Sequence, residues 1–463
     1  MISWKRAFKG YLTPHIFVFL FLGFSCGLPY NLLGYSLSLW MTDAGIALSV
    51  VGFFSLILVP YSLKFLWAPF VDRFRVPYLC RKVGHKKAWA LVFQAGLILS
   101  IFALSCFGPD QNTWTWARSI ADSAGTRSIQ VIPMQTFLLA LCVAFFAASQ
   151  DIVVDALRID TLDRKEFGEG ASLYQFGYRM GMLLSGAGVV AAAGYLSWDV
   201  SYFIVGCFVF TGFIAILTMH EENHGSAKQN PRWFRSLVVD PFSDFMKRRS
   251  WIVILAFVIL YKLCNAVLGR MALPFYREIG FSNEQIALVS GAFGPWITLA
   301  GIALGGVLVM RYSVLKCLFY LGLFEILTSC AFAGFSIIGA SMPVFFLIII
   351  FDNIIGGMGG AVFVAYLSGL CSRRYSATQY ALLASLMALS ASVISVYSGV
   401  WAEYMGWPVF FLFTGVLMFP ALVLLRGLIV MQENGLKVFR VFSPKAKAWT
   451  QSDIRHINRG MGK

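Results

Sequence analysis

Charged residues are scarce in this chain, 13% of 463 residues, where roughly a quarter is usual in soluble domains. That scarcity, with 59% hydrophobic residues and a mean hydropathy of +0.74, excludes a water-soluble fold. Histidine is rarer still, with 5 residues and no cluster, and the 9 cysteines contain no CxxC pair. A zinc site and a disulfide framework are therefore not expected, and no metal or other cofactor is implied. Cys106, Cys142, Cys207, Cys264 and Cys330 fall in apolar segments and read as small packing residues. Strict alternation is also missing: "FFLIIIF" (Phe345 to Phe351) is continuous, which excludes a β-barrel strand. Acids are fewer than bases, giving a net charge of +15. The bases sit in the loops, so topology explains them without a nucleic-acid partner.

What remains is a series of apolar runs of about 20 residues, each able to cross a hydrocarbon core of roughly 30 Å. Spans are predicted near 16–40, 50–71, 89–107, 134–158, 172–196, 201–219, 251–276, 284–310, 314–338, 343–371, 377–401 and 405–431. The fold class is all-α integral membrane, with about twelve transmembrane helices. The opening "MISWKRAFKGYLTPHIFVFLFLGFSCG" imitates a signal peptide, but its apolar run continues to Trp40 without a cleavage site, which predicts a first span. With both termini inside, the inner segments collect Lys5, Arg6 and Lys9, the bases from Arg73 to Lys87, Arg164, Lys165, Arg311, Lys316, Arg373, Arg374 and a basic tail. Only Arg118, Arg127 and Arg277 fall outside, the asymmetry that the positive-inside rule demands.

The polar stretch 220–250 divides the spans into six and six. The predicted organisation is an N-terminal half (1–219), a cytoplasmic linker (220–250), a C-terminal half (251–431) and a basic cytoplasmic tail (432–463). Two six-helix halves around a central cavity are the layout of the major facilitator superfamily. The turn "APFVDRFRVPYLCRK" is a degraded form of that superfamily's loop motif, keeping Asp72 and Arg73.

Ionisable groups at membrane depth cost on the order of 2.5–3.5 kcal/mol each on insertion scales, so each is a functional candidate. They are Lys64 on span two, Asp151, Asp155 and Arg158 on span four, Arg179 on span five, Lys262 and Arg270 on span seven, Glu325 on span nine and Asp352 on span ten. Asp151 and Arg179 each lie about seven residues, roughly 10 Å, above the inner boundary and are expected to meet. Lys262 and Asp352 are expected to pair near the midplane. Asp155, Arg158 and Lys64 lie where side chains can snorkel, or where Asp155, Arg158, Asp72 and Arg73 can form an inner charge lock. Gln175 with Arg179, and Tyr174 with Tyr178, share helix faces through i,i+4 spacing. Breaks are expected in span one, at Gly27, Pro29 and Asn31, and in span ten, at Asn353, Gly356, Gly357, Gly359 and Gly360. In "GYRMGMLLSGAG" (Gly177 to Gly188) the glycines read as close helix packing. Tyr30, Trp40, Tyr61, Trp67, Tyr178 and Trp296 are candidates for stacking on a sugar face or for interface anchors.

Together "LGFSCGLPYNLLGYSLSLWM", "VGFFSLILVPYSLKFLWAPFVDR", "ASQDIVVDALRIDTL", "GYRMGMLLSG", "YKLCNA" and "FDNIIGGMGGAVFVAYLSGLCSRRYSATQYALLASL" resemble the AmpG muropeptide permease family. The resemblance implies a monomeric, multi-pass permease of the bacterial inner membrane, importing anhydro-muropeptides together with protons. In some Gram-negative bacteria such import also feeds β-lactamase induction. Residue by residue it carries over Asp151, Asp155, Lys64, Arg179 and Lys262; together with the residues at depth, this makes Asp151, Asp155 and Asp352 candidates for proton coupling, and Lys64, Arg179, Lys262, Tyr30, Asn31, Gln175, Tyr178, Asn265 and Asn353 candidates for substrate contact. Two positions depart from the family: Asn265 stands where an acid is common, and Asp352-Asn353 where "FEN" is frequent. Glu325 is also unusual. A related branch carries acetyl-coenzyme A, so another large anionic solute is an alternative cargo. A membrane-embedded transferase finds no nucleophile or His-based acid/base group here, and a sensor or scaffold would show no flux.

Overall fold

The computed structural model describes residues 11, 13–46, 48–109, 134–219, 239–248 and 250–434. The bases expected at Lys5, Arg6, Lys9, Arg118, Arg127, Lys228, Arg232 and Arg235, and most of the linker and tail, lie outside the described residues. Every regular element among those described is helical. Eleven helices are long and apolar enough to cross a membrane: Pro14–Asp43, His85–Cys106, Met134–Thr161, Phe167–Ala193, Trp198–Thr218, Trp251–Glu278, Asn283–Arg311, Val314–Ile338, Met342–Leu370, Arg373–Met405 and Trp407–Glu433. They are spans one and three to twelve. The shorter apolar helix Val50–Leu66 stands at span two and completes the twelve.

Span two falls short as an unbroken α-helix because its backbone alternates. α-Helix at Leu48–Phe53 passes to a 3₁₀ turn at Phe54–Leu58, α-helix at Val59–Leu63, a 3₁₀ turn at Lys64–Leu66 and α-helix at Ala68–Arg73. Pro60 and Pro69 each sit in the first turn of a new α segment, where a missing N–H does no harm. Span one was expected to break at Gly27 and Pro29. Instead the α-helix runs through Pro29 to Asn31 and widens into one π-helical stretch, Leu32–Ser36. Span ten does not break at all: Met342–Leu370 is one helix.

Of the span-ten glycines, Gly357 serves contact. A Cβ on Gly357 would lie 2.4 Å from Thr298 O of span eight, and one on Gly301 would lie 2.4 Å from Ile354 O of span ten. Span one meets span five the same way. A Cβ on Gly23 or Gly27 would stand 2.0 Å from the carbonyl oxygens of Tyr174 and Tyr178, and one on Gly177 2.0 Å from Leu20 O. In lipid, where helix association gains little from apolar burial, such backbone approach is what holds helices together. Buried polar links add to it, as where Gln94 donates to Ser25 Oγ at 2.7 Å and Val209 O at 2.6 Å.

The two halves converge at the end of the bundle that carries the basic loops. Asp72, closing span two, accepts hydrogen bonds from Thr378 N (2.8 Å), Thr378 Oγ1 (2.7 Å) and Ala377 N (3.3 Å) at the start of span eleven. A carboxylate there complements both the free N–H groups and the positive helix end. Lys86 stands 3.6 Å from Asp72, pairs with Asp160 and donates to Ser376. Arg373 donates to Leu162 O at 3.0 Å. Tyr11 Oη reaches Ala303 O of span eight at 2.9 Å. This end is closed by polar contacts between the halves.

Candidate functional site

Two charged groups emerge from the spans, one in each half. In the N-terminal half the second 3₁₀ turn of span two presents Lys64, whose Nζ lies 3.5 Å from Asp151 Oδ2 on span four. Both are buried, at 8% and 5% exposure. Asp151 Oδ1 accepts no hydrogen bond, and the Cys26 thiol lies beside it. The expected partner of Asp151 was Arg179; the structure supplies Lys64, from the 3₁₀ turn of span two, instead. Trp67 holds the same turn against span four by donating to Ser149 Oγ at 3.0 Å.

One turn further along span four, Arg158 Nη2 stands 2.8 Å from Asp155 Oδ1. These groups do not snorkel: Arg158 is fully buried and Asp155 is 4% exposed. The guanidinium lies between the rings of Tyr174, 4.6 Å from the centroid, and Tyr380, 5.3 Å. It also donates to Ser368 Oγ of span ten at 3.3 Å. Arg158 thus ties spans four and five to spans ten and eleven. Stacking satisfies a cation that Asp155 alone leaves with bare faces. Arg73 closes span two beside Asp72, half-buried.

Arg179 is accessible and makes no ion pair, with Tyr30 and Tyr178 as its electrostatic neighbours. Tyr30 meets Tyr61 edge to face at 5.5 Å, and Tyr178 tilts against Tyr174 at 6.1 Å. The buried Tyr61 hydroxyl has no hydrogen-bond partner. Across the halves, Lys262 lies at a break in span seven, between helices Trp251–Tyr261 and Leu263–Glu278. Its Nζ stands 5.7 Å from the Phe363 ring centre. The charge of Arg179 acts on Lys262 across the two halves. The expected Lys262 to Asp352 pair is not formed, and Asp352 is half-buried without an ion pair or hydrogen bond among the described residues.

Asn265 donates from Nδ2 to Glu325 Oε1 at 2.9 Å, and the charge of Glu325 acts on Lys262. Asn265 thus stands where the resemblance leads one to expect an acid, and Glu325 brings a carboxylate to its side from span nine. Sequence reasoning singled out Glu325 for its depth but assigned it no partner. Its position in the middle of "LGLFEILTS" was the signal, since an acid at that depth has to face protein. The hub at Lys86, with Asp160 and Ser376, was hidden among the other bases of its loop.

Several expected contact residues are engaged internally. Asn31 donates to Met182 O at 2.9 Å. Asn353 accepts from Thr298 Oγ1 at 2.6 Å and donates to Ile349 O at 2.9 Å. Trp40 is buried and stacks on Trp198 at 6.2 Å, and Trp296 is 61% exposed on the outside of its helix. Gln175 is half-buried on span five, one turn before Arg179.

Comparison with known proteins places this geometry. A family model described as acetyl-coenzyme A transporter 1 matches residues 14–195. The Rickettsia conorii protein named AmpG 4 is 33% identical over 429 residues, 91% of this chain and 98% of that protein. The anhydromuropeptide permease of Escherichia coli K12 is 33% identical over 415 residues, 89% of this chain and 79% of that protein. Among solved structures, FucP, a major facilitator superfamily transporter in the outward conformation, superposes with a TM-score of 0.62 at 12% identity, over 90% of this chain and 99% of that one. The human organic anion transporter MFSD10 gives 0.60 at 14% identity, over 92% and 100%. Those two likenesses establish the fold, and the two bacterial relatives establish the rest: this chain is a multi-pass transporter that belongs to the AmpG muropeptide permease family of the major facilitator superfamily.

Proposed function

We propose that the protein is a proton-coupled importer of anhydro-muropeptides, carrying them from periplasm to cytoplasm across the bacterial inner membrane as a monomer with both termini inside. The observation that carries this reading is that Arg179 and Lys262, from opposite halves, act on each other's charge while neither has a carboxylate within ion-pair distance among the described residues. Two cations facing each other at membrane depth are unfavourable unless an anion joins them. A muropeptide brings peptide carboxylates for that purpose. Its sugar rings suit the faces of Tyr30, Tyr61 and Tyr178, and Gln175 beside them offers an amide to the hydroxyls.

Protons enter at Asp151. Asp151 faces Lys64 through one oxygen and leaves the other unbonded, so a proton and the lysine compete for the carboxylate as access changes. Protonation releases Lys64 toward the cargo, and deprotonation recaptures it. Asp155 and Arg158, with Asp72 and Arg73, hold the halves together at the cytoplasmic end while cargo enters from the other. Asp352 is the matching acid in the second half, and Asn265 and Asn353 shape its surroundings.

The test is uptake of labelled anhydro-muropeptide into proteoliposomes, with and without an imposed pH gradient. Accumulation that collapses with the gradient supports the proposal, and gradient-independent equilibration refutes coupling. A second reading, transport of acetyl-coenzyme A or a similar large anion, is favoured by the family model over residues 14–195. Competition by acetyl-coenzyme A in the same assay decides between them.

A further inference from the structure

We infer that the C-terminal half carries a proton-binding site of its own, centred on Glu325 of span nine and linked to Lys262 of span seven through Asn265. Glu325 lies near the midpoint of Val314–Ile338, 4% exposed, far from either helix end. Neither helix terminus is near enough to stabilise its charge. Its direct polar contact is the Asn265 amide at 2.9 Å. Span ten leaves room behind it, since a Cβ on Gly359 would come within 3.6 Å of Oε1.

The groups around the carboxyl come from three helices. Span seven presents Tyr261, Lys262 and Cys264. The Tyr261 hydroxyl is turned away to donate to Leu318 O at 3.0 Å. Span ten presents Asp352, on which the charge of Glu325 acts. Span twelve packs on this side of span nine with Leu422, Gly415 and Thr414, none of which titrates. Lys262 therefore acts on Glu325, and Glu325 on Asp352, with the cation outside ion-pair distance of either acid. An acid at this depth, held by a neutral amide and with no cation in ion-pair contact, is a place where a proton can bind.

That arrangement links cargo charge to proton uptake. When an anionic group settles on Lys262, the cation is compensated by the cargo and Glu325 loses its counter-charge. Glu325 then takes a proton from the aqueous space open to the cargo, forming an O–H bond at its carboxyl. When the anion leaves on the other side, Lys262 is freed and the proton departs to that side. Anion and proton cross together, through a site separate from Lys64 and Asp151.

The coupling rests on the transport reading proposed above, but the central measurement requires no cargo. Infrared difference spectra of the reconstituted protein, taken between acidic and alkaline pH, contain the carbonyl band of a protonated carboxylic acid. Glu325→Gln removes one such band, and Glu325→Asp keeps it at a shifted frequency. In proteoliposomes, the pH gradient that nulls net cargo flux shows one proton fewer per cargo molecule in Glu325→Gln. An undiminished band, or an unchanged proton ratio, overturns the inference. If Glu325→Gln fails to insert, Asn265→Ala carries the test: losing the hydrogen bond shifts the Glu325 band, and an unshifted band overturns the inference. A failure of muropeptide transport alone leaves the infrared result standing.

Discussion

Lys64 and Asp151 face each other at 3.5 Å across the junction of spans two and four, both cut off from solvent. The pair is loose, with one Asp151 oxygen unbonded, and breaking it leaves a buried lysine without its charge partner. That is costly for a static lock but useful for a switch.

Asp151→Asn should abolish accumulation driven by a pH gradient while leaving membrane insertion intact. Uptake into right-side-out vesicles under an imposed gradient measures this. Accumulation equal to that of the unaltered protein would remove Asp151 from the coupling scheme.

Arg179→Gln and Lys262→Gln should each weaken binding of a cargo bearing peptide carboxylates. A hydrogen bond to a charged group contributes about 1.5–3 kcal/mol, which corresponds to a loss on the order of 10-fold to 100-fold. A cargo analogue with amidated carboxylates should lose far less. Half-saturation in counterflow exchange reads both, and equal losses for the two cargoes would show that the cations do not meet the carboxylates.

Asp72→Asn should loosen the basic end, because it removes the charge that caps span eleven through Ala377 and Thr378. Cys371, buried where span ten ends, reports the change. With the other cysteines replaced, its labelling by a maleimide should accelerate several-fold in Asp72→Asn and less in Thr378→Ala. Unaltered labelling would mean that the latch is redundant.

Glycine substitutions should divide by contact. Gly27→Ala drives a methyl to 2.0 Å from Tyr178 O, and overpacking of that kind typically costs about 1–3 kcal/mol. Gly356 has nothing within 4 Å of a Cβ, so Gly356→Ala should be neutral or stabilise by about 0.5–1 kcal/mol through helix propensity. Thermal unfolding in detergent compares the two, and equal melting temperatures would contradict the seam.

The fold was legible because the length and apolar character of the spans are properties of the chain alone. Predicted spans such as 134–158 and 314–338 fall within Met134–Thr161 and on Val314–Ile338. The candidate site was half legible. Every residue singled out for its charge at depth, apart from Arg270 on span seven, lies in the two clusters or between them. Partners were not readable, because depth along one axis leaves rotation about each helix undetermined. Asp151 and Arg179 matched in depth, yet Asp151 faces Lys64 and Arg179 has no ion pair among the described residues. The span-ten glycines were misread as a break, since a glycine needed for backbone contact and one needed for a bend look the same in sequence.

The seam between spans one and five has a mechanical counterpart in span two. Glycines that press backbone on backbone allow no sliding, so the two helices translate together. The backbone of span two is compliant where theirs is stiff. A 3₁₀ turn rises about 2.0 Å per residue against 1.5 Å in an α-helix, so refolding Phe54–Leu58 and Lys64–Leu66 into α-helix would shorten the rod by about 4 Å. Lys64 rides on the second of those turns. Because Lys64 opens that second turn, the first turn alone sets its height, and the change of pitch there amounts to about 2.5 Å of register against Asp151 on span four.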